Sequence, residues 1–190
     1  APPNGAAASG RVGPGAHVID AVAAQPKRVL VAVVPGEAGA RIQAWRAAHD
    51  EWRSRLLPPH LTLCYRPPYV ADGEIAAQVR HAFPRPVDVR LGGVAQLPNR
   101  DGTLVVEVLE TAELDLARRR LFDATHAEMG GYREWPWHIT WVRFGVQRDS
   151  AALLELAQHE LRFDLPWTID RLSLLELRDG RYEPSAAFEL

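Results

Sequence analysis

One pattern is written twice along this chain, and the repetition narrows the possible folds more than any other feature. Arg28-Val-Leu-Val-Ala-Val-Val34 is a β-branched run closed by Pro35-Gly36, which reads as a buried strand. Helical spacing follows over Glu37 to Arg53. There Ile42, Trp45 and Trp52 share one face, while Arg41, Arg46, His49 and Glu51 lie mostly away from it. Pro58-Pro59 then forces an extended backbone, and His60-Leu-Thr-Leu-Cys-Tyr65 alternates as a strand should. The same order returns in the second half: Thr103 to Leu109 as strand, Ala112 to Met129 as helix with its exit at Gly130-Gly131, Pro136 as breaker, and His138-Ile-Thr-Trp-Val-Arg-Phe144 as strand. From Val29 to His60 is 31 positions, and from Leu104 to His138 is 34.

Each half continues with a further helix, Ala71 to Phe83 and Ser150 to Leu161, and a further strand, Val87 to Leu97 and Thr168 to Leu177. Asp72-Gly73 and Asp149-Ser150 offer capping side chains near those helix starts, and Ala186 to Leu190 fits a short edge strand. The expected fold is therefore α+β: a bilobal, pseudo-symmetric duplicated fold with two antiparallel sheets facing a central cleft and helices on the outside. The two His-bearing strands are expected across that cleft. Residues 1–26 contain 16 Ala, Gly or Pro and no apolar period, so they read as a flexible tail, with at most a helical turn at His17 to Ala24. The remainder, 27–190, reads as a single domain with lobes of roughly 27–100 and 101–190.

Composition removes several chemistries. Of 22 basic residues only Lys27 is a lysine, and it stands beside the tail. A P-loop, a PLP Schiff base and a lysyl-adenylate nucleotidyl transferase each need a lysine in a defined context that Lys27 lacks. Cys64, the one cysteine, allows no intramolecular disulfide and no multi-cysteine zinc knuckle. A net charge of −2 argues against a long duplex-DNA footprint and leaves room for a small anionic substrate. The longest apolar run, Val29 to Val34, is far short of the roughly 20 residues a membrane span needs, so no membrane partner is expected. No basic stretch leads into an apolar block, and a cytoplasmic monomer is the expectation.

The chemistry is carried by the doubled text His60-Leu61-Thr62-Leu63 and His138-Ile139-Thr140-Trp141. In a strand, residues two apart share a face, so each imidazole and its neighbouring hydroxyl point into one space. One His-x-Thr is a chance event; two, each just after a proline at the same place in a repeated order, are not. Phosphodiester chemistry needs one group to deprotonate the attacking oxygen and another to protonate the leaving oxygen. Two histidines with ordinary pKa values of about 6.5 can divide those tasks near neutrality. Threonine hydroxyls can hydrogen-bond the non-bridging phosphate oxygens, where charge accumulates. Such a site calls for neither a metal nor a cofactor. A zinc reading would require His60, His138 and an acidic ligand, with no His-Glu-x-x-His to support it.

These paired motifs resemble the 2H phosphoesterases, which include bacterial RNA 2′,3′-cyclic phosphodiesterases also described as 2′-5′ RNA ligases. The resemblance covers roughly Arg28 to Leu190 and implies hydrolysis of 2′,3′-cyclic phosphate ends of RNA or nucleotides to 2′-phosphates, with an ATP-independent 2′-5′ joining reaction as its reverse type. It implies His60 as proton donor and His138 as proton acceptor, an assignment the near-symmetry of the residues cannot make. Family members commonly carry an aromatic five positions after the first His and an Arg five after the second, where Tyr65 and Arg143 stand. Trp141 departs from the smaller aliphatic residue usual at its position. A member tuned to another cyclic or 2′-5′-linked nucleotide, and an inactive nucleotide-binding module, are the alternatives.

Around the motifs, Arg143 offers a guanidinium fork for a phosphate, Arg66 could steer one, and Tyr65 could stack a base. Strict alternation nevertheless sets Tyr65 and Arg143 on the opposite face from the histidines, and sets Cys64 on the same face as His60 and Thr62. Trp135, Trp137 and Trp141 crowd the second motif and could stack nucleobases, whereas Trp45 and Trp52 read as core. His17, His49, His81, His126 and His159 read as surface residues.

Overall fold

The computed structural model of the chain describes residues 27–65, 71–99, 102–125, 136–143 and 150–190. Eight strands and five helices lie in it: β1 (Arg28–Val33), α1 (Gly36–His49), α2 (Glu51–Leu56), β2 (His60–Tyr65), α3 (Asp72–Ala82), β3 (Val87–Gln96), β4 (Leu104–Leu109), α4 (Ala112–Thr125), β5 (His138–Val142), α5 (Ser150–Glu160), β6 (Leu165–Ile169), β7 (Arg171–Arg178) and β8 (Arg181–Glu189). The tail and Arg66 fall outside the described residues, as do His126, the helix exit at Gly130-Gly131, Trp135 and Asp149.

The α+β class is as expected, but the two separate sheets are not. All eight strands form one antiparallel sheet in the order β6-β3-β4-β5-β2-β1-β7-β8. Its centre is the junction between the two His strands, where β2 and β5 meet through the single pair Leu61 and Ile139. The strands are therefore neighbours within one sheet. The sheet also exchanges strands between the repeats: β3, from the first, pairs with β4, and β7, from the second, pairs with β1.

One face of the sheet is packed by helices. Ile42 of α1, Val79 of α3, Leu121 of α4 and Ala157 of α5 join Leu30, Leu61, Val106 and Ile139 in one core. The central strands read as near-continuous apolar runs because the opposite face is partly covered as well: Val29, Val31 and Leu175 cluster there under Leu57 and Tyr182. That second face carries the motifs. Helix α1 lies close against the end of β1 because residue 39 is glycine; a Cβ there would stand 2.2 Å from the Val34 carbonyl oxygen.

Several local expectations are corrected. The single helix over Glu37 to Arg53 is two, broken at Asp50, which leaves the helical region (φ −146, ψ 60) and caps α2 by accepting from the Arg53 amide. The break rotates Trp52 off the core stripe, to 68% exposed, and the outward-assigned Arg46 is buried at 3% exposed. Asp72 is the first residue of α3, whose N-cap position is Ala71, without a side-chain bond from Ala71. The strand expected from Thr168 to Leu177 is divided into β6 and β7, and the final strand starts earlier, at Arg181.

Candidate active site

The register at the centre of the sheet assembles the two motifs. With Leu61 opposite Ile139 in an antiparallel pair, His60 falls opposite Thr140 and Thr62 opposite His138. Each imidazole thus faces the hydroxyl of the other repeat, and the two histidines occupy diagonal positions, about 7–8 Å apart at the backbone. A local two-fold axis passes between Leu61 and Ile139.

The same device orients both rings. His60 Nδ1 lies 2.7 Å from the Pro58 carbonyl oxygen, and His138 Nδ1 lies 2.7 Å from the Pro136 carbonyl oxygen. A carbonyl can only accept, so each Nδ1 carries the proton and donates; each Nε2 of a neutral ring is left as the basic nitrogen. The preceding backbone is pinned in parallel, with the Val34 amide donating to the Pro59 carbonyl and the Val108 amide to the Trp137 carbonyl, each at 3.0 Å. Prolines before the motifs thus supply the acceptors that fix the tautomers.

Bulges decide what lies beside the rings. On β1, Val31 pairs with Thr62 but Leu30 pairs with Cys64, so Leu63 is the extra residue of a β-bulge. On β4, Val105 pairs with Thr140 but Leu104 pairs with Val142, so Trp141 is extra at the equivalent place. Each bulge reverses the parity of the residues beyond it. Tyr65, opposite Val29, comes back to the face of His60 and Thr62, where it is exposed, while Cys64 turns into the core. Burial there pushes the Cys64 thiol up to about 12, far from a nucleophile's range. Arg143 follows Val142, which faces the core, and so returns to the face of His138. Its positive charge adds to the lowering of both imidazoles. Among the described residues, the Arg143 guanidinium is bonded to no acceptor. Strict alternation gave the wrong face for Tyr65, Arg143 and Cys64 because it cannot anticipate an inserted residue.

Trp141 is corrected as a substrate contact: it is 0% exposed and packs on the helical side, 4.8 Å from Trp45 between ring centroids. Its indole nitrogen is buried without a hydrogen-bond partner among the described residues. Trp137 is buried too, donating to Asp115 Oδ1 at 2.8 Å with Arg118 stacked 3.8 Å over its ring; it braces the backbone leading into His138 and offers no stacking surface. His49 is half-buried against Trp45, while His81 and His159 are exposed.

Both imidazoles are held below the ordinary value. Burial pushes His60 down to about 4, with the Pro58 bond opposing and Arg46, His138 and Arg143 adding repulsion. His138 is lowered by burial, opposed by its Pro136 bond and assisted by Arg143. Sequence reasoning missed three neighbours: buried Arg46 beside His60; Glu107, which the register sets opposite His138; and Asp50, whose carboxylate reaches the backbone of Arg143 at 3.2 Å. The only signal for them in the sequence is Asp50, a good N-cap residue inside a helical pattern. Among the described residues, no group of three or more His, Cys, Asp or Glu side chains is placed to hold a metal ion.

The sequence fits the family model of the 2′-5′ RNA ligase superfamily over residues 34–181. The chain belongs to that superfamily. Its members are 2H phosphoesterases that act on RNA or nucleotides, so phosphodiesterase-type activity is the class the membership carries. The fold is also that of LigT of E. coli, solved with 3′-AMP (TM-score 0.57, 18% identity, 87% of this chain and 98% of that one) and with NADP+ (TM-score 0.55, 17% identity, the same coverage). A protein of Thermus thermophilus, TT0787, is similar as well, with TM-score 0.55, 19% identity and coverage of 86% and 97%. No curated protein sequence matches the chain. No helix among the described residues is long and apolar enough to cross a membrane.

Proposed function

We propose that this protein is a metal-independent phosphodiesterase that opens 2′,3′-cyclic phosphate ends of RNA or nucleotides to 2′-phosphates, with His60, Thr62, His138 and Thr140 as its core. The observation that carries the reading is the β2–β5 register together with the paired Nδ1 bonds: two basic Nε2 atoms stand diagonally across a patch floored by two hydroxyls. A phosphate between them accepts from Thr62, Thr140 and Arg143 on its non-bridging oxygens. Water attacks phosphorus on one side, giving its proton to one imidazole, and the new P–O bond forms. The P–O3′ bond breaks on the other side, and the leaving oxygen takes a proton from the second, protonated imidazole. The charges balance through one proton lost and one gained, and solvent restores the pair.

The difference between the rings bears on their roles. His60 is the more deeply buried and has Arg46 as an additional repelling charge, so without substrate its ring is neutral near pH 7. The family resemblance makes His60 the donor and His138 the base, and that assignment requires bound phosphate to raise the His60 pKa. Substrate phosphate brings the negative charge that favours protonating a ring before turnover. Tyr65, exposed beside the site, is in place to stack the terminal base.

The test is incubation of the protein with a panel of 2′,3′-cyclic nucleotides, with and without EDTA, and identification of the monophosphate. A 2′-phosphate formed equally in EDTA, and reduced roughly 10²–10⁴-fold by His60→Ala or by His138→Ala, is the expected result. Turnover surviving both substitutions would sink the proposal, and loss of turnover in EDTA would remove its metal independence. Nucleotide bound without any turnover would make the chain a binding module.

A further inference from the structure

Arg143 occupies an awkward place. It is the first residue beyond β5, just past a bulge and beyond Val142, where the β4–β5 register among the described residues ends. Its backbone is held instead by an ion pair at the start of α2. Asp50 Oδ2 accepts from the Arg143 amide at 3.2 Å and from Arg53 Nη1 at 3.1 Å, and the same Nη1 donates to the Arg143 carbonyl at 3.5 Å. Both polar groups of the Arg143 backbone are thus bonded to one carboxylate–guanidinium pair, from residues 93 and 90 positions away in the chain.

The pair is itself anchored. Asp50 Oδ1 accepts from the Arg53 amide at 3.4 Å, and the Asp50 side chain is only 9% exposed. Buried Arg46 donates from Nη2 to the Arg53 carbonyl at 2.9 Å and from Nη1 to Gln43 Oε1 at 3.3 Å, while Gln43 Nε2 donates to the Ser54 carbonyl at 2.8 Å. These bonds lock α2 against α1 and leave Asp50 little freedom. Capping a six-residue helix accounts for Oδ1 alone; it gives no reason for Oδ2 to reach across to the end of β5.

We infer that Asp50, with Arg53, is a positioning residue that fixes the backbone of Arg143 and so aims its guanidinium at the phosphate between the two histidines. The inference rests on the reading of Arg143 as a phosphate ligand. Because a misplaced fork loses its bonds to the transition state, an ångström of drift at Arg143 is costly even though Asp50 never touches substrate.

The test uses the full chain carrying Asp50→Asn, Asp50→Ala, Arg143→Ala and the double variant Asp50→Ala/Arg143→Ala. Without substrate, NMR follows the hydrogen exchange of the Arg143 amide and the titration of both imidazoles. Exchange should accelerate at least about tenfold in Asp50→Ala as its acceptor is lost, and both imidazole pKa values should rise as the Arg143 charge leaves them. With a 2′,3′-cyclic nucleotide, kcat/KM should fall roughly 10–100-fold in Asp50→Ala and no further in the double variant than in Arg143→Ala alone. Asp50→Asn keeps an acceptor oxygen without the ion pair and should fall between; it carries the test if the alanine variant does not fold. Additive losses in the double variant, or an Arg143 amide and imidazoles unmoved by either substitution, would overturn the inference. If the wild-type protein opens no cyclic phosphate, the functional reading fails, and the exchange and titration still decide whether Asp50 aims Arg143.

Discussion

His60 and His138 are held by the same backbone device in unequal surroundings. Each donates from Nδ1 to a proline carbonyl two residues back, and each strand bulges at the residue after its threonine. Yet His60 is 8% exposed with Arg46 nearby, whereas His138 is half-buried, braced by Trp137 and faced by Glu107. A shared backbone supplies the two-fold arrangement that a phosphate with an attacking and a leaving oxygen requires. Unequal burial then breaks the symmetry, so that the proton-donating and proton-accepting tasks need not be interchangeable.

The two bulge positions give the largest expected contrast. Leu63 and Trp141 are equivalent, but only Trp141 packs against Trp45. Trp141→Leu, which copies the first motif into the second, should cost roughly 2–4 kcal/mol in chemical denaturation, because a leucine leaves part of a fully buried cavity unfilled. KM for a cyclic nucleotide should be unchanged within about threefold; a large rise in KM with little loss of stability would return Trp141 to the substrate.

Acid stability separates the rings next. The folded-state pKa of His60 is depressed, so the unfolded chain binds more protons than the folded one between about pH 4 and the ordinary value near 6.5. The stabilisation is full above that ordinary value and is lost as pH falls through the window. Replacing His60 by Gln should flatten the decline, removing at most about 3 kcal/mol of pH dependence between neutrality and about pH 4. His138→Gln should flatten it less. Equal effects from the two variants would mean that burial does not distinguish the rings.

The threonines should show the smallest contrast. Thr62→Val and Thr140→Val each remove a hydroxyl proposed to bond the phosphate, and each should lower kcat/KM roughly 10–100-fold. Near-equal losses would sharpen the two-fold picture of the site. A difference greater than about tenfold between them would break it.

Much of this site is legible from local text. The alternation of His60 with Thr62 and of His138 with Thr140 needs nothing beyond the period of a strand, and the prolines at 58 and 136 sit where their carbonyls can reach the imidazoles. The residues beyond the threonines are not legible in the same way. Tyr65 and Arg143 face the site only because β1 and β4 each skip a residue in pairing, and a skipped pair is a property of two strands at once. Arg46 and Asp50 were obscured for a related reason: an apolar stripe through Trp52 reads as one helix until Asp50 caps a second.

The sequence alone determined the α+β class, the repeated order of elements and the four polar residues at the centre, because each is written in short-range periodicity and in a doubled motif. Tertiary structure decided that the strands form one sheet, that β3 and β7 are exchanged between repeats, and that an ion pair on α2 grips the end of β5. Those features depend on which distant segments pair and in what register. Side-chain period says what a strand can present to each face, but the pairing energy that selects its partner, and any bulge within it, is spread over residues far apart in the chain.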